Sequence, residues 1–165
     1  MLQIIEKMRD LNFRQLMEVY EEGNMENGDE MFPDAPESQR ILLAEQAFYQ
    51  YLNECFFTTL RAVYALWVED GRYISALRLE PYQDGLLIEA LETMPSFRNR
   101  GYAKALLTEV KKYAGHNKLY SHVSKKNRAS LKTHEACGFY RILEHAIYAD
   151  GSVFSTSCTF CSQDA

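Results

Sequence analysis

Three Asp-Gly pairs, Asp70-Gly71, Asp84-Gly85 and Asp150-Gly151, each fall between runs rich in β-branched and aromatic residues. An Asp-Gly pair is a strong β-hairpin signal, because a tight two-residue loop needs positive φ and these residues tolerate it. The first two pairs join residues 63–68, 73–79 and 86–93 into a three-stranded meander, and the third joins 140–148 to 152–160. Residues 2–5 and 119–123 read as further strands. Elsewhere the apolar spacing is helical. Asp10 reads as a cap for Phe13, Leu16, Met17 and Tyr20, and Ile41, Ala44, Phe48, Tyr51, Leu52 and Cys55 share one face. Ala103, Leu106, Leu107, Val110 and Ala114 run to a stop at Gly115, and a helix over 129–136 closes at Gly138. The order β-α-α-β-β-β-α-β-α-β-β predicts an α/β fold with a mixed central sheet.

A chain of 165 residues with 47% hydrophobic residues can build one core, so residues 1–165 are read as a single domain without disulfide or metal support. The net charge of −5 argues against a nucleic-acid partner, which calls for a basic face. The first residues lack the plan of a signal peptide, and no apolar run approaches the roughly 20 residues of a membrane span. The chain is therefore expected to be cytoplasmic and a monomer or homodimer. Cys158 and Cys161 have the spacing of half a metal site, but in a strand they point to opposite faces and a second pair is missing. Between Glu18 and Glu37 lie eight acids and no Lys or Arg, so this run is either a solvated stretch or an attractor for a cationic amine. Gly23, Gly28, Pro33 and Pro36 make its later part read as an exposed loop.

The segment from Glu92 to Ala103 joins a strand to a helix. Unpaired amides at such a helix start bind phosphate, Gly101 lets the backbone come close, and Arg98 and Arg100 add charge. Neither a Gly-x-x-x-x-Gly-Lys-Ser/Thr nor a Gly-x-Gly-x-x-Gly phosphate loop is present. Residue chemistry alone leaves an ordinary basic turn equally open.

Arg98-x-x-Gly101-x-Ala103 resembles the Arg/Gln-x-x-Gly-x-Gly/Ala signature of the GNAT superfamily of acyl-CoA-dependent N-acetyltransferases. Asn127, Ser130, Gly138 and Phe139 resemble its Asn-x-x-Ala…Gly-Phe segment at the matching spacing. Together the motifs cover residues 86–139, and residues 1–60 match in element order alone. The resemblance implies a GNAT-like sheet whose fourth and fifth strands splay apart around acetyl-CoA. It implies acetyl transfer to a primary amine of a small molecule or peptide, with no metal. Thr93 and Met94 would hold the pantetheine and acyl carbonyl by their backbone. Arg98, Asn99, Arg100, Gly101, Tyr102 and Ala103 would cradle the pyrophosphate. Asn127, in the segment that includes Ser130, would meet the pantetheine arm. A non-catalytic acyl-CoA-binding or sensing domain would keep this loop and differ in lacking proton-transfer groups.

Direct transfer requires that an alkyl ammonium with a pKa of about 10.4 lose a proton and that the departing thiolate gain one. Where the superfamily commonly has a Tyr acid, this chain has His134. The base candidates are His122, then Glu92, then Glu89. With Asp84 and Gly85 as the turn, Arg78 and Glu89 form a diagonal pair on one face. Glu92 then lies on the other face with Leu77, Leu79, Ile88 and Ala90, where burial would raise its pKa. A bulge in this strand, usual in the superfamily, would reverse that parity. Arg78 is alternatively suited to an acceptor's carboxylate.

Overall fold

The computed structural model describes residues 1–163. Nine strands are present among the described residues: β1 (Leu2–Ile5), β2 (Val63–Glu69), β3 (Arg72–Tyr82), β4 (Gly85–Thr93), β5 (Lys118–Ser124), β6 (Tyr140–Leu143), β7 (Ala146–Ile147), β8 (Val153–Phe154) and β9 (Ser157–Cys161). Seven of them form a mixed sheet in the order β1-β2-β3-β4-β5-β9-β6. Every pairing in it is antiparallel except β4 with β5, which is the parallel pair that the crossover between them requires.

Five helices cover the sheet: α1 (Phe13–Val19), α2 (Glu21–Met31), α3 (Glu37–Glu54), α4 (Tyr102–Ala114) and α5 (Arg128–Ala136). Alternation along the strands sends two apolar sets in opposite directions. On one face Val63, Ala65, Leu77, Leu79, Leu86 and Ile88 meet Leu106, Leu107, Val110 and Ala114 of α4. On the other, Tyr64, Leu66 and Ala76 meet Leu16, Met17, Val19 and Tyr20 from the α1 end and Leu52 of α3. Each fully buried Leu of this kind contributes about 1.5–3 kcal/mol. Cys158 packs in the first cluster and Cys161 in a separate one with Tyr82, Leu87 and Tyr120, so the two thiols do not face each other.

Four local expectations change. The cap of α1 is Asn12, whose Oδ1 accepts the Gln15 N–H at 3.2 Å, while Asp10 ends a preceding 3-10 turn. Much of the acidic run expected as a loop is helix α2. Its Gly28 lies so close to α3 that a Cβ there would sit 2.7 Å from the Arg40 carbonyl oxygen. A residue that reads as a helix breaker is thus what lets two helices touch. The second hairpin is shifted: Tyr82 pairs with Gly85, so Gln83 and Asp84 form the turn, with Gln83 at φ +48°. Gly85 belongs to β4, where a Cβ would collide with the Lys118 carbonyl of β5. Finally, the third hairpin is interrupted. β7 and β8 pair around Asp150-Gly151 as a small ribbon, while β6 and β9 join the main sheet.

Candidate active site

The parallel pairing of β4 and β5 runs from Gly85–Lys118 to Ile88–Ser121 and stops. Beyond it the strands diverge, because β4 bulges at Ala90, whose φ is +49°. Arg78 of β3 lies opposite Glu89, and Ala76 lies opposite Glu92, so Ala90 and Leu91 share the one intervening position Leu77. The Tyr20 hydroxyl donates to the Ala90 carbonyl at 2.7 Å and holds the bulge. This extra residue overturns the expected facing of Glu92. It does not lie with Leu77, Leu79 and Ile88; it lies on the face of Ala76, the same face as Arg78 and Glu89.

One cavity, of about 460 Å³, opens where the strands part. Its lining brings together Glu92 and Thr93 of β4, Arg98, Asn99, Gly101, Tyr102 and Ala103 of the following loop and helix start, and Asn127 and Ser130. Met94 and Arg100 are not in the lining: Met94 is buried against the N-terminal helices, and Arg100 lies over the Phe97 ring at 5.3 Å. Asn99 and Gly101 take φ of +60° and +85°, which turns the chain sharply before α4. The first bond of that helix runs from the Ala105 N–H to the Gly101 carbonyl at 2.9 Å. The amides of Tyr102, Ala103 and Lys104 ahead of it therefore have no intrahelical acceptor. A Cβ on Gly101 would meet nothing within 4 Å, so the space over this turn is open. An anion fits there, at the positive end of α4. At the other wall, the Asn127 side chain caps α5 by accepting the Ser130 N–H at 3.0 Å.

Arg98 is held in place on its own side of the cavity. Its Nη1 donates to Glu22 Oε2 at 2.6 Å, its Nε to the Thr93 carbonyl at 3.1 Å, and its Nη2 lies 3.6 Å from Glu92 Oε2. The guanidinium thus fastens α2 to the end of β4. Glu22, Gly23 and Glu26 of α2 also line the cavity, and reading α2 as a loop concealed them. The i, i+4 spacing of Glu22 and Glu26 is the signal that would have placed both on one helix face.

A second cavity of about 450 Å³ lies between the sheet, α2 and α3. Tyr20, Phe48 and Tyr51 give it aromatic walls, with Arg78 on the sheet side. Gly23 and Glu92 line both cavities, so Glu92 stands at their junction. Burial raises the pKa of its carboxyl; Arg98 opposes this, and Glu22 and Glu26 add to it.

The other proton-transfer candidates stand outside both linings. Burial first, then the neighbouring Glu80 carboxyl, pushes Glu89 up to about 7, with Arg78 opposing. His122 follows the last β5 residue paired with β4, its ring 5.5 Å from that of Tyr82 and 4.8 Å from that of Tyr148. Neither ring nitrogen has a hydrogen-bond partner among the described residues, and burial lowers its pKa. His134 is buried on the inner side of α5 against Phe139 and Phe160. Its Nδ1 lies 2.8 Å from the Ser130 carbonyl, which can only accept, so Nδ1 carries the proton and donates. Nε2 is then a buried lone pair without a partner among the described residues, and burial lowers the pKa of the ring. In this state His134 has no free proton to give.

Among the described residues no group of three or more His, Cys, Asp and Glu could hold a metal ion, and no helix is long and apolar enough to cross a membrane.

The model of the acetyltransferase (GNAT) family matches residues 5–139. An N-acetyltransferase from Staphylococcus aureus Mu50 has a similar structure, with a TM-score of 0.67 and 16% identity over 96% of this chain and 99% of that one. The PaiA N-acetyltransferase from Thermoplasma acidophilum, solved in complex with coenzyme A, gives 0.61 and 13% over 99% of both chains. The ribosomal-protein-S18-alanine N-acetyltransferase from Escherichia coli gives 0.60 and 15% over 100% of this chain and 97% of that one. No curated protein sequence matches the chain significantly.

Proposed function

Since this chain belongs to the acetyltransferase (GNAT) family and is an acetyltransferase that uses acetyl-CoA, we propose that it acetylates a primary amine directly, with Glu92 as general base. The single observation carrying this reading is that Glu92 lines both the cavity beside the α4 start and the aromatic cavity. A base must reach the amine while the amine reaches the acetyl carbon, and the junction of the two cavities is where both conditions meet.

The cofactor side divides its work among residues already placed. The free amides of Tyr102, Ala103 and Lys104 receive the pyrophosphate, with the turn at Asn99 and Gly101 giving it room. The β4 edge that has left β5, ending in Thr93, offers backbone groups to the pantetheine and acyl carbonyl, and Asn127 lines the opposite wall. Acetyl-CoA supplies an acyl group on a sulfur leaving group. The amine nitrogen bonds to the acetyl carbon, the carbon–sulfur bond breaks, and the amine proton passes to Glu92. Sulfur leaves as thiolate and takes its proton from water, since His134 holds its own on Ser130.

The raised pKa of Glu92 suits this task, because a base closer to neutrality accepts a proton more readily while remaining ionised at working pH. The test is Glu92→Gln, assayed by thiol release with saturating acetyl-CoA. Turnover should fall on the order of 10²- to 10⁴-fold, with little change in the Michaelis constant for acetyl-CoA. A loss under about threefold would remove Glu92 from the chemistry and return the role to His122 or Glu89.

A further inference from the structure

Arg78 is a largely buried charged group whose guanidinium makes no hydrogen bond among the described residues. It projects from β3 into the aromatic cavity, and its side chain is only 16% exposed. A guanidinium has five N–H donors. Among the described residues none of them makes a hydrogen bond, and Nε is fully buried without a partner. Glu89, the one carboxylate within 4 Å among the described residues, stands 3.6 Å from Nη2, too long for a hydrogen bond. The rings of Tyr51, Phe48 and Phe56 surround the guanidinium at 5.2 to 5.9 Å. They stabilise its charge by cation–π attraction but accept none of its hydrogen bonds in plane. Tyr51 is itself engaged, donating to Glu80 Oε1 at 3.0 Å. A buried guanidinium held this way is a fork without an in-plane acceptor among the described residues, and a carboxylate is the planar anion that matches it.

The rest of the cavity narrows the ligand further. Its walls are Tyr20, Phe48, Met31, Ala44 and Ala47 with the neutral amides of Asn24 and Asn27, so a cationic polyamine would find one carboxylate, at Glu92, and a positive charge at Arg78. Glu92 pairs with Ala76, two residues along β3 from Arg78, which sets their backbone positions about 7 Å apart along the strand. That spacing suits a small molecule that carries an amine and a carboxylate on one carbon, with a hydrogen bond on each side. Building on the amine-transfer reading above, we propose that the acceptor is a free amino acid with an apolar side chain. Its carboxylate docks on Arg78, its side chain lies among Tyr20, Phe48 and Met31, and its amine points past Glu92 towards the acetyl group. The products are the N-acetyl amino acid and coenzyme A.

The experiment compares each amino acid with the same molecule lacking its carboxylate. Thiol release from acetyl-CoA is measured with L-phenylalanine against phenethylamine, L-leucine against isopentylamine, and spermidine as the polycation. The amino acids should be preferred by at least about 30-fold in kcat/KM, the lower end for removing one member of a buried charge pair. In Arg78→Met that preference should collapse, with phenethylamine little affected relative to L-phenylalanine. If Arg78→Met does not fold, the wild-type ratios decide alone. Equal or better use of phenethylamine, isopentylamine or spermidine overturns the amino-acid proposal and leaves amine transfer standing. Thiol release with none of these amines, while coenzyme A still raises the melting temperature, overturns the amino-acid proposal, and only failure across a panel that includes peptide and aminoglycoside amines would overturn amine transfer as well.

Discussion

At the scale of single residues, Glu92 illustrates how a side chain is tuned by what surrounds it. Burial lifts its carboxyl above the ordinary glutamate value of about 4.3, even with Arg98 beside it. A general base acts only when deprotonated, so the rate should rise with pH through that raised pKa and level off above it. A pH–rate profile of kcat/KM should place this limb above the usual carboxylate range and show its loss in Glu92→Gln; an unchanged limb in the variant would assign it to another group. Gly101 is the complementary case on the cofactor side. Its φ of +85° strains any β-branched residue, and a Val side chain would enter the open space over the α4 amides. Gly101→Val should abolish the rise in melting temperature that coenzyme A produces by mass action. His134 makes the opposite prediction. Because its Nδ1–H is bound to Ser130 and its ring packs between Phe139 and Phe160, His134→Phe should keep turnover within about threefold. A loss of 10²-fold or more would restore it as the acid that protonates the thiolate.

At the scale of elements, the two glycines of α2 separate propensity from packing. Each costs about 1 kcal/mol relative to Ala inside a helix. A Cβ at Gly23 meets nothing within 4 Å, whereas at Gly28 it meets the backbone of Arg40. Gly23→Ala should therefore stabilise the fold by about 0.4–1 kcal/mol. Gly28→Ala should destabilise it, since overpacking costs about 1–3 kcal/mol and the neighbour is backbone that cannot swing away. Urea unfolding of both variants gives the signs, and stabilisation by Gly28→Ala would show that α2 and α3 part easily. The same two residues explain where the sequence was opaque. Asp-Gly turns between β-rich runs located β2 to β4, and the stops at Gly115 and Gly138 located the ends of α4 and α5. In α2 a close helix contact left the same mark as a loop. The turn before α4, proposed to hold the cofactor, was legible because Gly101 and Arg98 lie within a few residues of one another. The acceptor side was not, since a single bulged residue at Ala90 turns Glu92 to the other face, and nothing in the local spacing records it. Gly85 likewise reads as a turn but serves the approach of β5.

At the scale of the whole molecule, the site is held in an arrangement that costs stability, and that cost depends on pH. Glu89 is the clearest contributor. It faces Arg78 and Glu80, with Tyr51 and Tyr148 nearby, and its pKa stands at about 7 against about 4.3 in an unfolded chain. Between those values the folded state binds the proton more tightly, so unfolding releases it. Stability contributed by this group is therefore present at low pH and is lost as pH rises to about 7. Glu92, also raised, acts in the same sense. His122 and His134 act oppositely: burial depresses their pKa, so below about 6.5 the unfolded chain takes up protons that the folded one refuses. A melting curve of the wild type alone would mix these contributions. Glu89→Gln separates them, because Gln keeps the shape without titrating while Glu92 and both histidines remain in each protein. The melting temperature of the wild type minus that of Glu89→Gln should fall steadily from about pH 5 to 8 and flatten above it. A difference that rises with pH would mean the Arg78 ion pair outweighs burial and that Glu89 is charged throughout. In that case the guanidinium at the back of the aromatic cavity would already be neutralised, and the carboxylate proposed to bind there would have to displace Glu89 to reach it.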